Sequence, residues 1–228
     1  FGASGPDEKL TLQAALGMKL NQHYLVAQRN LIVEGVDDAW IITELSNLLS
    51  RLGKQTLPDD VQITAAGGAS EVVYMATLMI GQGLEVVALF DSDDAGRREE
   101  NKLRTKWLLR YKDTKSSSVL LGDAIGTNGD VSIEDLFPEA YYLGKVEESH
   151  KSKMENARVL KIEPRQGEGL MVNRIADGCK NSGIQFNKGA VANLIRKDLA
   201  RKTDANASLN YTIEKAELLF QRIRSQFD

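Results

Sequence analysis

Cysteine is nearly missing from this chain. Cys179 stands alone, so it has no partner for a disulfide within the chain, and with only His23 and His150 beside it there are too few ligands for a structural zinc site of the usual count. No apolar stretch approaches the roughly 20 residues that span a bilayer, and no basic-then-apolar secretion signal opens the sequence. The expectation is a membrane-free, cytoplasmic setting. A basic excess is lacking as well: the formal net charge is -3, so overall charge does not draw the chain to nucleic acid. Proline is scarce at 4 residues, while 42% of the residues are apolar and 27% charged, which is the balance of a folded protein rather than a disordered tail.

Charge is nevertheless unevenly spread. Between Arg97 and Lys115 eight basic residues face only Glu99, Glu100 and Asp113, a density that suits a solvated helix face as well as a phosphate-binding one. The chain opens on Phe1 in a Gly- and Pro-containing run (FGASGPD), and this leads us to expect a fragment of a longer protein.

Hydrophobic patterning predicts an α/β fold. Asn30 to Glu34, Val61 to Ala65, Glu85 to Phe90 and Ser117 to Leu121 read as short buried strands. Helical spacing fills the gaps from Asp38 to Leu52, from Ala69 to Ile80 and from about Asp94 to Tyr111. The alternation βαβαβαβ implies a parallel sheet flanked by helices, in the Rossmann-like manner. Beyond it, Asn187 to Ala200 and Leu209 to Phe227 are the best helix candidates, and Gly126 to Gly129 and Arg201 to Ser208 read as loops. We therefore expect a helical lead-in over 1–27, a catalytic domain over 28–145 and an appended helical domain over 146–228. Trp40 and Trp107 are assigned to packing.

In open parallel sheets ligands bind where the strands end. Glu34 ends the first predicted strand, Asp38 follows one helical turn later, Asp91 ends the third strand, and Asp93 comes two residues on. Carboxylates brought together repel, and a divalent cation relieves the repulsion. Mg²⁺ and Mn²⁺ are hard ions that prefer such oxygens. Asp37 and Asp94 are better read as helix caps, since Asp favours N-caps and first turns.

Two motifs, Glu34-Gly35-Val36-Asp37-Asp38 and Asp91-Ser92-Asp93, with Gly67-Gly68 between them, resemble the signatures of the Toprim domain. The phrases LIVEGVDDAW, ALFDSDDAGR and SIEDLFP are similar to the carboxy-terminal half of nucleases of the OLD (overcoming lysogenization defect) family. The resemblance implies a DNA endonuclease using two Mg²⁺ or Mn²⁺ ions, with Ca²⁺ able to substitute in binding. It assigns acid–base or metal-ligand work to Glu34 and metal binding to Asp38, Asp91 and Asp93. It gives Glu134, and Ser132 through its hydroxyl, to a second metal, although Ser132 and Asp135 also form a capping-box-like pattern. It implies a lysine from the helical appendage, Lys188, that stabilises charge on the phosphate in the transition state; Arg196, Lys197 and Lys202 compete for that role. It further implies an amino-terminal ATPase partner, because no Gly-x-x-x-x-Gly-Lys-Ser/Thr occurs in this chain. The competing expectations are a non-catalytic metal- or DNA-binding module of the same fold, and a phosphoacceptor receiver. A receiver would carry its acid pair side by side, whereas Glu34 and Asp38 stand a helical turn apart.

Overall fold

The computed structural model describes residues 27–110, 115–156, 161–203 and 209–228. Four strands, β1 (Arg29–Val33), β2 (Val61–Ala65), β3 (Glu85–Phe90) and β4 (Ser117–Leu120), form one all-parallel sheet in the order β2-β1-β3-β4. Helix α1 (Val36–Arg51) links β1 to β2, α2 (Ala69–Gly81) links β2 to β3, and α3 (Asp94–Leu103) leads toward β4. The chain is thus an α/β protein with a parallel sheet flanked by helices. After β4 come α4 (Leu121–Ile125), a 3-10 turn (Ile133–Leu136), α5 (Glu139–Ser149), α6 (Lys151–Asn156), α7 (Met171–Asn181), α8 (Lys188–Arg201) and α9 (Asn210–Arg224).

Because side chains alternate along a strand, the sheet divides its apolar residues between two cores. Leu31, Val33, Val87, Leu89 and Val119 meet α1 and the carboxy-terminal helices in the larger one, which also takes in Val146, Ile175, Ile195 and Leu219. Ile32, Val86, Ala88 and Phe90 point to the other face, which α2 and α3 cover with Val72, Ala76, Ile80 and Leu103. The expected boundary at 145/146 falls inside α5, and the helices beyond it bury their apolar faces in the larger core, α8 against α1 and α9 against α4 and α1.

The single helix expected from Asp94 to Tyr111 instead gives way to a π-helical turn at Arg104–Leu108, and Tyr111 lies outside the described residues. A wider turn brings Trp107 and Leu108, four and five residues after Leu103, to the side where they pack on the smaller core. Trp40, by contrast, is 37% exposed, and its ring lies under the Arg196 guanidinium rather than in a core. Leu121 begins α4 instead of ending β4. The lead-in expected over 1–27 falls almost wholly outside the described residues, as do His23 and most of the loop expected at 201–208. No helix among the described residues is long and apolar enough to cross a membrane.

Candidate active site

The strand order reverses direction between β1 and β3, which opens a crevice at their carboxyl ends. Glu34 and Asp91 are the next residues after these two strands. The Glu34 carbonyl accepts the N–H groups of Gly67 (2.7 Å) and Gly68 (2.9 Å). That turn needs φ of 108° and 143°, a region that glycine enters without a Cβ clash. The Glu34 carboxylate reaches across to the neighbouring strand end, where Oε1 accepts the Asp91 N–H at 3.0 Å. Behind Asp91, a Cβ on Gly96 would stand 2.1 Å from the Asp91 carbonyl oxygen, so glycine is what lets α3 start so close to the strand end.

Two of the predicted ligands also serve their helices. Asp38 is 6% exposed; its Oδ2 accepts the Gly35 N–H at 2.7 Å, while its Oδ1 is buried without a hydrogen-bond partner. Asp93 is the N-cap of α3 and accepts the Gly96 N–H at 2.7 Å. The capping expected of Asp37 and Asp94 is therefore done by Asp38 and Asp93, one residue along in one helix and one residue back in the other.

The third arm of the site comes from far along the chain. Ser92 and Val131 exchange backbone hydrogen bonds as an isolated antiparallel bridge, with Ser92 N–H donating to the Val131 carbonyl at 2.7 Å. This tie carries the following residues to the strand ends. Asp135 Oδ2 accepts the Ser132 N–H (2.9 Å) and hydroxyl (3.1 Å), so the hydroxyl expected to ligate a metal gives its proton to its own turn and keeps its oxygen lone pairs. Glu134, between them, is 1% exposed and has no hydrogen-bonding partner on Oε2. Its Oε1 forms an ion pair with Lys188 Nζ at 2.8 Å, and the same ammonium lies 3.9 Å from Asp38 Oδ1. Lys188 is the first residue of α8, whose N-cap Asn187 accepts the Ala190 N–H at 3.0 Å.

Electrostatics bind these residues into one unit. Burial holds the Asp91 carboxyl well above its ordinary value, and Asp38, Glu34 and Glu134 push it further. Burial likewise raises Glu34, with Asp93 and Asp38 adding to the rise against the Asp91 N–H. Asp38 rises through burial and Glu134, opposed by Lys188. Burial pulls the Lys188 ammonium down, yet Glu134, Asp38 and Asp91 together outweigh it and hold the group above the usual lysine range. Asp37, first read only as a cap, belongs to the rim of this unit: burial raises it, Lys188 opposes, and Glu134 adds. Its position beside Asp38 was the one available signal. Lys202 lies beside Asp198 at 3.8 Å. Arg196 stacks on Trp40 instead.

The donor set is all hard oxygen, two of its buried oxygens lack donors, and one lysine faces Glu34, Asp38, Asp91 and Glu134. That chemistry fits a divalent cation such as Mg²⁺ or Mn²⁺. As the side chains stand, no three of the described His, Cys, Asp or Glu residues gather round one point closely enough to hold an ion, and it is the Lys188 ammonium that meets Glu134 and Asp38. No family model matches this chain, and neither a curated protein nor a solved structure matches it.

Proposed function

We propose that this chain is a metal-dependent endonuclease that hydrolyses DNA phosphodiester bonds, as its resemblance to Toprim nucleases of the OLD type implies. The observation that carries the reading is the carboxylate cluster at the ends of β1 and β3, in which Asp38 and Glu134 are buried and the Lys188 ammonium opposes the acids. Glu34, Asp38, Asp91 and Asp93 would hold one cation, and Glu134 a second. When bound, such ions neutralise phosphate charge and acidify the attacking water. Glu34 is held by Asp91 N–H through one oxygen, which leaves the other to take a proton from water. Asp38 and Asp93 keep their positions through the helix N-termini that they cap. Lys188 supplies the positive charge that can meet the phosphate as negative charge grows on it. A cytoplasmic setting and an ATPase partner in a longer protein belong to the same proposal.

The test is incubation of purified protein with supercoiled plasmid DNA in Mg²⁺ or Mn²⁺. Nicked or linear product is expected with metal and none in excess chelator. Equal cleavage in chelator, or none with either metal, overturns the reading.

A further inference from the structure

We propose that Lys188 is a resident counter-ion that a divalent cation must displace, so that metal loading releases the lysine toward the phosphate. The inference rests on the reading of the acid cluster as a metal site and adds to it the order of events.

The competition follows from shared oxygens. Glu134 Oε1 is 2.8 Å from the Lys188 nitrogen. A Mg²⁺ ion binding such an oxygen at roughly 2.0–2.1 Å would stand close to the ammonium that already faces it, and the two positive charges repel each other across a poorly solvated pocket. The lysine also satisfies the pocket poorly. It stays 3.9 Å from Asp38 Oδ1, and both that oxygen and Glu134 Oε2 are buried without donors. A doubly charged ion balances more of the cluster than one ammonium does.

The exchange has a route. The Lys188 side chain is 39% exposed, whereas Glu134 is at 1%, so the ammonium has solvent beside it and the carboxylate does not. The backbone that carries the lysine is fixed independently of the acids. Asn187 caps α8 through the Ala190 N–H, and His150, buried at the end of α5, places Nε2 2.8 Å from the Gln185 carbonyl. Release is therefore a rotation of the flexible four-carbon stem and moves no helix. A lysine freed at the mouth of the crevice meets phosphate only when metal is present, which couples the attraction of DNA to a loaded site.

Two measurements without DNA decide the matter. In the wild-type protein, acylation of Lys188 by an N-hydroxysuccinimide ester, followed by peptide mass spectrometry and scaled to exposed Lys106, should run several-fold faster in millimolar Mg²⁺ than in chelator. An unchanged or slower rate, with metal binding shown by calorimetry on the same sample, overturns the displacement. In Lys188→Met, calorimetry should find Mg²⁺ bound at least tenfold more tightly than by wild type, while the metal-free melting temperature falls. Equal or weaker Mg²⁺ binding overturns the proposal, and if this variant does not fold, the wild-type labelling decides alone. Absence of Mg²⁺ and Mn²⁺ binding in wild type and variant alike removes the metal reading itself, whereas binding that leaves Lys188 protected removes only the displacement.

Discussion

Burial and the neighbouring Asp38, Glu34 and Glu134 oppose the charge of Asp91, and this has a sign that can be measured. A carboxyl raised in the folded chain binds its proton more readily there than in the unfolded chain. Stability therefore falls as pH rises from the ordinary value of 3.8 through the elevated folded one. Without metal, the melting temperature should drop across that window, and Asp91→Asn should raise it at neutral pH and flatten the slope. In a domain of this size a gain of ~1 kcal/mol reads as roughly 2–4 °C. A variant that melts lower at neutral pH would show that the Asp91 charge is already balanced. The same residue should be indispensable to chemistry: Asp91→Ala, and Glu34→Gln with its Asp91 N–H acceptor retained, should each cut plasmid at under a tenth of the wild-type rate, a loss exceeding ~1.4 kcal/mol in the barrier. Rates within tenfold would take them out of the site. These two acids were legible in the sequence because a strand-terminal acid after an apolar run has no capping role to explain it. Glu134 was not legible from its own surroundings, since Ser132 and Asp135 form a complete capping turn and nothing local says that the acid between them faces inward. Only the Ser92–Val131 bridge, which joins segments far apart in sequence, brings it to Asp91.

Among the elements, the strands were the easiest to read: β2 and β3 fall on the expected residues because each is a short stretch rich in β-branched or apolar residues closed by turn residues. Helix ends were less legible, as the shift of capping from Asp94 to Asp93 illustrates, because an Asp pair presents two caps and only backbone geometry chooses between them. Helix α7 is weakly marked in the sequence although Met171, Val172, Ile175, Gly178 and Cys179 lie on one buried face; Asn173, Gly178 and Asn181 weaken its helical propensity, and the burial comes from the tertiary fold. The start of α3 is the element most sensitive to change. Gly96→Ala drives a methyl group into the Asp91 carbonyl and must push the helix away from β3. We expect a loss of roughly 1–3 kcal/mol from such overpacking, read by denaturant unfolding. The stabilisation by Mg²⁺ should fall with it, because both Asp91 and the Asp93 cap move. Full stability in Gly96→Ala would mean that this helix start is more pliable than its close approach implies.

At the scale of the whole molecule, an ion that binds only the folded chain stabilises it by mass action, about 2.7 kcal/mol at a hundredfold excess over Kd. Thermal denaturation in saturating Mg²⁺ or Mn²⁺ should therefore shift upward by several degrees relative to chelator, and an unchanged transition at millimolar metal would count against a preformed site. The α/β class was readable from the alternation of strand and helix patterns, but the way the later helices pack on α1 and α4 was not, since their apolar faces say only that something is covered. That packing bears on the order in which the molecule assembles. Residues 34, 38, 91 and 134 all precede 188 in the chain, so the carboxyl edge of the sheet is synthesised well before Lys188, which opposes it. Until α8 docks, the edge carries negative charge that Lys188 does not yet offset, and an ion from solution can stand in for that ammonium. Refolding followed by stopped-flow fluorescence should accordingly run faster in Mg²⁺ than in chelator, with the late helices joining a sheet whose charge has already been quenched.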